Sequence, residues 1–340
     1  MRPFARAGAI AAGLIGALAA APIDAVLAQS APKAAAGFVV SELPIHLKVG
    51  SGVAERDGTL LFTDVGTGGV IRVDPGSNAT VVATLPIGID VMGAPTGPYK
   101  VAVQGDRLLV TQGWQDVNRS EGPQDHALLS IEPGGAIHVV SRAFWNPYDL
   151  ARAGADWFVA DSGKNALFLW SPGSPEPVEY FVFPRVRHTA SASQTLSPTE
   201  FPSGQPYDVD AVPTGVAVGK GVIYVALFGG FPFPDGGGQV VSLPIAASDR
   251  QARVEAGDLN APTDVAVDGD GRLLVLEYGR FEVGGDFAPG SGRLLRIDLA
   301  TGERTVLLSG LTKPATVLPL SAGDYVVTQM GGPVLRLTPK

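Results

Sequence analysis

Residues 261–280, APTDVAVDGDGRLLVLEYGR, decide the fold. The stretch opens on a proline turn and runs through alternating Val265-Ala266-Val267. It turns at Asp268-Gly269-Asp270-Gly271, then climbs through Leu273-Leu274-Val275-Leu276 to Glu277. A short alternating run, an Asp/Gly turn and a second apolar run read as two antiparallel strands joined by a tight turn.

The same plan recurs in GVAERDGTLLFTD (52–64), PYKVAVQGDRLLVTQ (98–112), PYDLARAGADWFVAD (147–161), PTGVAVGKGVIYVAL (213–227) and PATVLPLSAGDYVVTQ (314–329). Each unit continues into a third apolar run, such as Val70–Val73 or Leu294–Ile297, and usually a fourth, such as Thr80-Val81-Val82 or Thr305–Leu308. The turn glycines Gly58, Gly105, Gly154, Gly219, Gly271 and Gly323 lie 47 to 65 residues apart, the period of propeller blades. Six units of four strands predict an all-β, six-bladed β-propeller over residues 38–340. The sixth unit lacks a fourth strand of its own, and Phe38-Val39-Val40 is expected to supply it. A two-domain β-sandwich fits the even repetition less well.

Composition agrees. With 44 glycines, 28 prolines and only 17% charged residues, the chain suits short strands and tight turns. Arg2 and Arg6 precede the apolar run Ala7–Pro22, and Val26-Leu27-Ala28 offers small residues for cleavage, so 1–28 reads as a signal peptide. Residues 29–37 read as a flexible lead-in, and the mature protein is expected to be secreted or periplasmic. The chain has no cysteine, which excludes disulfides, thiolate metal sites and a cysteine nucleophile. Loss of the leader, with Arg2 and Arg6 against Asp24, takes the formal charge from −8 to −9. That balance argues against nucleic-acid and anionic membrane partners and is compatible with a cation.

The units resemble NHL-type repeats in their Pro-x-x-[Val/Leu]-Ala-Val, Asp-Gly and Leu-x-Val-x-[Asp/Glu] elements. More narrowly, Asn146–Ala151, Ala211–Val218 and Gly230-Phe231-Pro232-Phe233-Pro234 resemble the ScyD/ScyE family of secreted propeller proteins. That family brings no defined reaction with it. The third unit departs from the pattern where Arg152-Ala153-Gly154-Ala155 replaces the Asp-Gly turn.

Propeller topology sends the loops after second and fourth strands to one face. The longest irregular segments, 113–126, 184–212, 228–238 and 278–292, fall at those connections, so a ligand is expected over the channel on that face. Two polar rings should look into it. The starts of the inner strands give Lys100, Asp149, Gly215, Asp264 and Thr316. The ends of the second strands give Asp64, Gln112, Asp161, Leu227, Glu277 and Gln329. Asp149, Asp264 and Glu277 are the candidate ligands of a hard cation such as Ca²⁺, which takes six to eight oxygens. The competing reading, that these acids cap turns and strand ends, is favoured because Asp beside Gly is so often a turn device.

Lys100, Gln112, Trp114, Tyr148, Phe231, Tyr278 and Gln329 are the candidate ligand-binding residues, for a small molecule, glycan or protein partner. Aromatic rings on this face suit a planar or sugar-like ligand, or pack on one another. His126 and His188 lie in the same loops and are possible general bases, whereas His46 and His138 read as structural or solvated. Ser191 and Ser193 lack a Gly-x-Ser-x-Gly elbow. The leading expectation is non-catalytic binding. The alternative is a Ca²⁺-dependent lactonase or esterase, because similar propellers place Ca²⁺ on the axis.

Overall fold

The computed structural model describes residues 31–90, 93–114, 122–189, 204–246, 250–282, 285–321 and 323–340. The expected signal peptide and the serines at 191 and 193 lie outside these. Strands β1 (Lys33–Ala34) and β2 (Phe38–Glu42) precede the repeats. Blade one contains β3 (Gly50–Arg56), β4 (Thr59–Asp64), β5 (Gly69–Val73) and β6 (Thr80–Thr84). The short pair β7 (Gly88–Ile89) and β8 (Pro95–Thr96) leads to blade two, β9 (Pro98–Gln104), β10 (Arg107–Gln112), β11 (Ala127–Ile131) and β12 (Ile137–Ser141). Blade three is β13 (Pro147–Ala153), β14 (Asp156–Asp161), β15 (Ala166–Trp170) and β16 (Val178–Val182).

A hairpin of β17 (Val186–Thr189) and β18 (Pro206–Val209) then leads to blade four, β19 (Pro213–Gly219), β20 (Val222–Leu227), β21 (Gly238–Pro244) and β22 (Arg253–Leu259). Blade five is β23 (Pro262–Val267), β24 (Leu273–Glu277), β25 (Gly292–Ile297) and β26 (Arg304–Leu311). Blade six is β27 (Pro314–Pro319), β28 (Tyr325–Gln329) and β29 (Leu335–Pro339), with β2 as its outer strand. The expected clasp therefore forms, with Val40 opposite Leu337. The lead-in differs from expectation at Lys33–Ala34, which adds a fifth strand to the edge of blade five.

Inner strands follow one another around the axis, and β27 lies against β3 to close the ring. The turns between first and second strands form where the glycines predict, with φ of +81° at Gly58, +65° at Gly154 and +84° at Gly271. Blade four differs by two residues. Lys220 and Gly221 take the left-handed conformation there, at +52° and +79°, and Gly219 ends the strand. Two consecutive positive φ values make the type I′ turn that matches strand twist.

The core consists of apolar layers, one between each pair of neighbouring blades. A strand with a blade on either side buries both its faces, which is why β24 is apolar at four successive positions and buried throughout. Among the described residues the layer between blades six and one is the smallest, with five buried side chains against nine in the next smallest.

Candidate functional site at the axial mouth

Every blade carries a β-bulge at the same place. Tyr148 and Asp149 face the single residue Ala160 between the pairs Pro147–Asp161 and Leu150–Val159, and the same slip follows Pro213, Pro262 and Pro314. In blades one and two it lies at Ser51-Gly52 and Tyr99-Lys100. A bulge places two residues against one and re-aims a side chain. Here it aims the third residue of each inner strand at the axis. A pit at the channel mouth is accordingly lined by Ser51, Tyr99, Lys100, Tyr148, Asp149, Thr214, Asp264, Ala315 and Thr316. Gly215 takes the axial place in blade four because a Cβ there would lie 2.6 Å from Asp264 Cα.

Each bulge is stapled to the next blade. Thr63 donates to Tyr99 O (2.8 Å), Thr111 to Tyr148 O (3.1 Å) and Thr214 to Pro262 O (3.0 Å), while Thr328 donates to Ser51 O. The other two staples are carboxylates. Val216 N donates to Asp149 Oδ2 and Val317 N to Asp264 Oδ2, both at 2.8 Å. Asp149 Oδ1 also accepts from Leu150 N at 2.7 Å.

Lys100 lies between these two acids. Its Nζ is 3.2 Å from Asp149 Oδ1 and 3.4 Å from Asp264 Oδ2. Burial opposes the ammonium charge, but the fields of Asp149 and Asp264 outweigh it and hold Lys100 above the ordinary lysine value. Burial pushes the Asp264 carboxyl up to about 7 despite Lys100, with Asp149 adding to the rise. Above them, Tyr148 stacks on Tyr99 with centroids 4.6 Å apart. Desolvation pushes Tyr148 up to about 12 and raises Tyr99 and Tyr278 as well, so all three are neutral phenols at physiological pH.

Residues of the second ring cap the chain entering each blade. Asp64 accepts from Lys48 N and Val49 N (2.9 Å each), and Asp161 from Trp145 N (2.7 Å) and Asn146 N (2.9 Å). Glu277 accepts from Asn260 N (2.9 Å) and from Arg293 Nε (2.6 Å), and Gln329 from Thr312 N (2.8 Å). Gln112 departs from this. Its Nε2 donates to Pro86 O, and its buried Oε1 has no partner among the described residues. In blade four, Leu227 is buried between blades three and four, and Asn165 of blade three instead accepts from Val212 N (2.8 Å). The apolar position at 227 thus faces a neighbouring blade.

The expected cation trio is divided. Asp149 and Asp264 meet on the axis with an ammonium between them, whereas Glu277 is fully buried in its own blade with Arg293. Among the described residues, no three His, Asp or Glu side chains are grouped to hold a metal. Two carboxylates already bound to Lys100 and to backbone N–H groups fall short of an oxygen-rich Ca²⁺ shell, so the residues present do not fit that ion.

The loop aromatics form two groups. Phe228, Phe233, Phe281, Phe287 and Tyr278 pack mainly edge to face, with Tyr278–Phe287 at 4.8 Å and Phe233–Phe281 at 5.2 Å. Phe231 joins them at 5.9 Å from Phe233 and is 38% exposed. Trp114 lies edge-on to His126 and Trp145, and His126 stacks on Trp145 at 4.7 Å. His188 sits on β17, where burial lowers its pKa. His46 is exposed before β3, and His138 is exposed on β12. Sequence reasoning missed the staple threonines and Asn165. The threonines at 63, 111 and 328 recur one residue before the second strand's end, which is a usable signal; Asn165 has none.

No protein-family model matches the sequence, and no curated protein matches it. Solved structures do match. A gluconolactonase from Xanthomonas campestris superposes with TM-score 0.60 at 13% identity, over 90% of this chain and 91% of that one. A streptogramin B lyase gives 0.52 at 11%, over 89% and 98%. A luciferin-regenerating enzyme gives 0.52 at 12%, over 89% and 95%. At such identities the likeness shows the six-bladed propeller fold. Since those neighbours include a lactonase and a lyase, the fold does not select a reaction.

Proposed function

We propose that this protein is an exported binding propeller of the ScyD/ScyE type, which takes a small molecule, glycan or protein partner on its loop-rich face without catalysing a reaction. One observation carries the reading: Lys100 bridges Asp149 and Asp264 on the axis, where a metal-dependent hydrolase would need its cation. A divalent ion would have to displace an ammonium held by both acids and compete with Val216 N and Val317 N for the same oxygens. The neutral phenols of Tyr148 and Tyr278 suit hydrogen bonding to a polar ligand group, with Phe231 as exposed apolar contact. Gln112 and Gln329, buried at the strand ends, and Trp114, packed against His126 and Trp145, serve as supports beneath that face.

The experiment sets this reading against a Ca²⁺-dependent lactonase or esterase. Purified protein is assayed for bound divalent ions, melted with and without chelator, and offered lactone and aryl-ester panels. The expected result is no stoichiometric metal, an unchanged melting temperature and no turnover. Calcium-dependent turnover lost in Asp149→Asn plus Asp264→Asn would overturn the proposal. A thermal-shift screen against glycans and small molecules supplies the positive arm, and a hit weakened by Tyr278→Ala maps the ligand to the channel mouth.

A further inference from the structure

The connection that closes the ring borders an open groove. Residues 43–48 run from β2, the outer strand of blade six, to β3, the inner strand of blade one. Together with the loop Met330–Pro333 they bound a groove of about 900 Å³. That volume suits one small molecule, since such sites span roughly 300–1,000 Å³. The strap is fixed at its ends, where Leu43 N donates to Val334 O and Lys48 N donates to Asp64, each at 2.9 Å. Among the described residues no backbone bond joins 44–47 to the loop 330–333.

The groove is chemically polarised. Leu43, Ile45 and Leu47 pack toward the layer between blades six and one, while Pro44, His46 and Lys48 are exposed. Met330 and Pro333 form the facing apolar wall. Lys48 makes no side-chain ion pair among the described residues, and its stem rests on Gly66, where a Cβ would come within 3.0 Å of Lys48 Cγ. Among the lining residues Lys48 is the one fixed cation and Glu42 the one acid.

We propose that this groove binds a small amphipathic acid, with its apolar body between Ile45 and Met330 and its carboxylate or sulfonate on Lys48. The proposal rests on the reading of the loop-rich face as a binding surface and gives it a location and a ligand class. Because a bound body would extend the smallest of the interblade layers, occupancy also strengthens ring closure.

The test titrates 2-naphthoate and its neutral counterpart 2-naphthylmethanol into the full chain, followed by calorimetry and melting. The acid should bind one to one, bind more tightly than the alcohol and raise the melting temperature. Lys48→Ala should weaken the acid about ten-fold and leave the alcohol unchanged. Met330→Gln, a mild change in the wall, should weaken both. The groove assignment is overturned if the acid shows no preference over the alcohol, if Lys48→Ala has no effect, or if neither probe binds up to about 1 mM. Loss of naphthoate binding in Tyr278→Ala with Lys48→Ala silent would overturn the groove yet leave the loop-face reading standing. Lys48-dependent naphthoate binding accompanied by turnover of ester substrates would keep the groove and overturn the non-catalytic reading.

Discussion

Lys100 is the countercharge for two buried carboxylates, so replacing it is a sharper probe than replacing either acid. Lys100→Met leaves Asp149 and Asp264 facing each other without a cation, and unfolding at pH 7.5 should show a loss of about 3–5 kcal/mol. The triple variant with Asp149→Asn and Asp264→Asn should recover most of it. A triple no more stable than Lys100→Met alone would mean that the ammonium acts through packing. The pair also has a pH signature. Asp264 keeps its proton up to about pH 7 when folded and releases it near 3.8 when unfolded. Stability from this group is therefore full below about 3.8 and is lost as pH rises through about 7. Lys100, raised from 10.5, contributes fully below that value and is lost as pH rises through its folded pKa. In melting curves from pH 4 to 8, subtracting Asp264→Asn from the native chain should leave a difference that moves against the native chain as pH rises. A flat difference would contradict the Asp264 assignment. Lys100, Asp149 and Asp264 are individually legible as polar residues at matching repeat positions. Their pairing was not, because residues 164 apart meet only once the ring has closed.

At the scale of the element, the bulge does most to convert sequence into site. Proline at the first position of five inner strands is visible in the sequence, and so, in four of the five, is the polar residue two places later; Gly215 is the exception. The slip that turns that residue inward depends on pairing with the second strand, which sequence periodicity does not register. The staples follow from the same pairing. Thr63→Val removes both the donor to Tyr99 O and the acceptor for Gly52 N, and should destabilise by about 1–3 kcal/mol in urea titrations. Thr63→Ser should be much milder. If valine were tolerated as well as serine, the hydroxyl would have no part in joining blades one and two. Asn165→Ala tests the substitute cap of blade four, where both Val212 N and Phe183 O lose a partner, with a comparable loss expected. The strand-end acids show how one motif holds two chemistries. Glu277 matched the pattern for a ligand ring, and an arriving backbone N–H and Arg293 engage it instead.

Across the whole molecule, stability resides in six apolar layers arranged around an axis, and the ring is closed by strand pairing between β2 and β29. Removing residues through Glu42 should therefore disable the whole ring. It strips blade six of its outer strand, exposes the edge of β29 and removes the support beneath the closing layer. Such a truncation is expected to be aggregated or to melt far below the full chain. A well-folded truncated monomer would show that closure does not depend on the clasp. The number of blades, their order, the strands within each and the source of the clasp are legible in the chain, because these rest on local alternation and turn chemistry repeated with a period. Which polar side chains share a site emerges only in the folded ring. Lys100 joins Asp149 and Asp264 while Glu277 stays in its own blade, and the strap 43–48 stands off the loop 330–333. The physical reason is that such meetings depend on which blades ring closure brings face to face across the axis, and that acts between residues far apart in the chain.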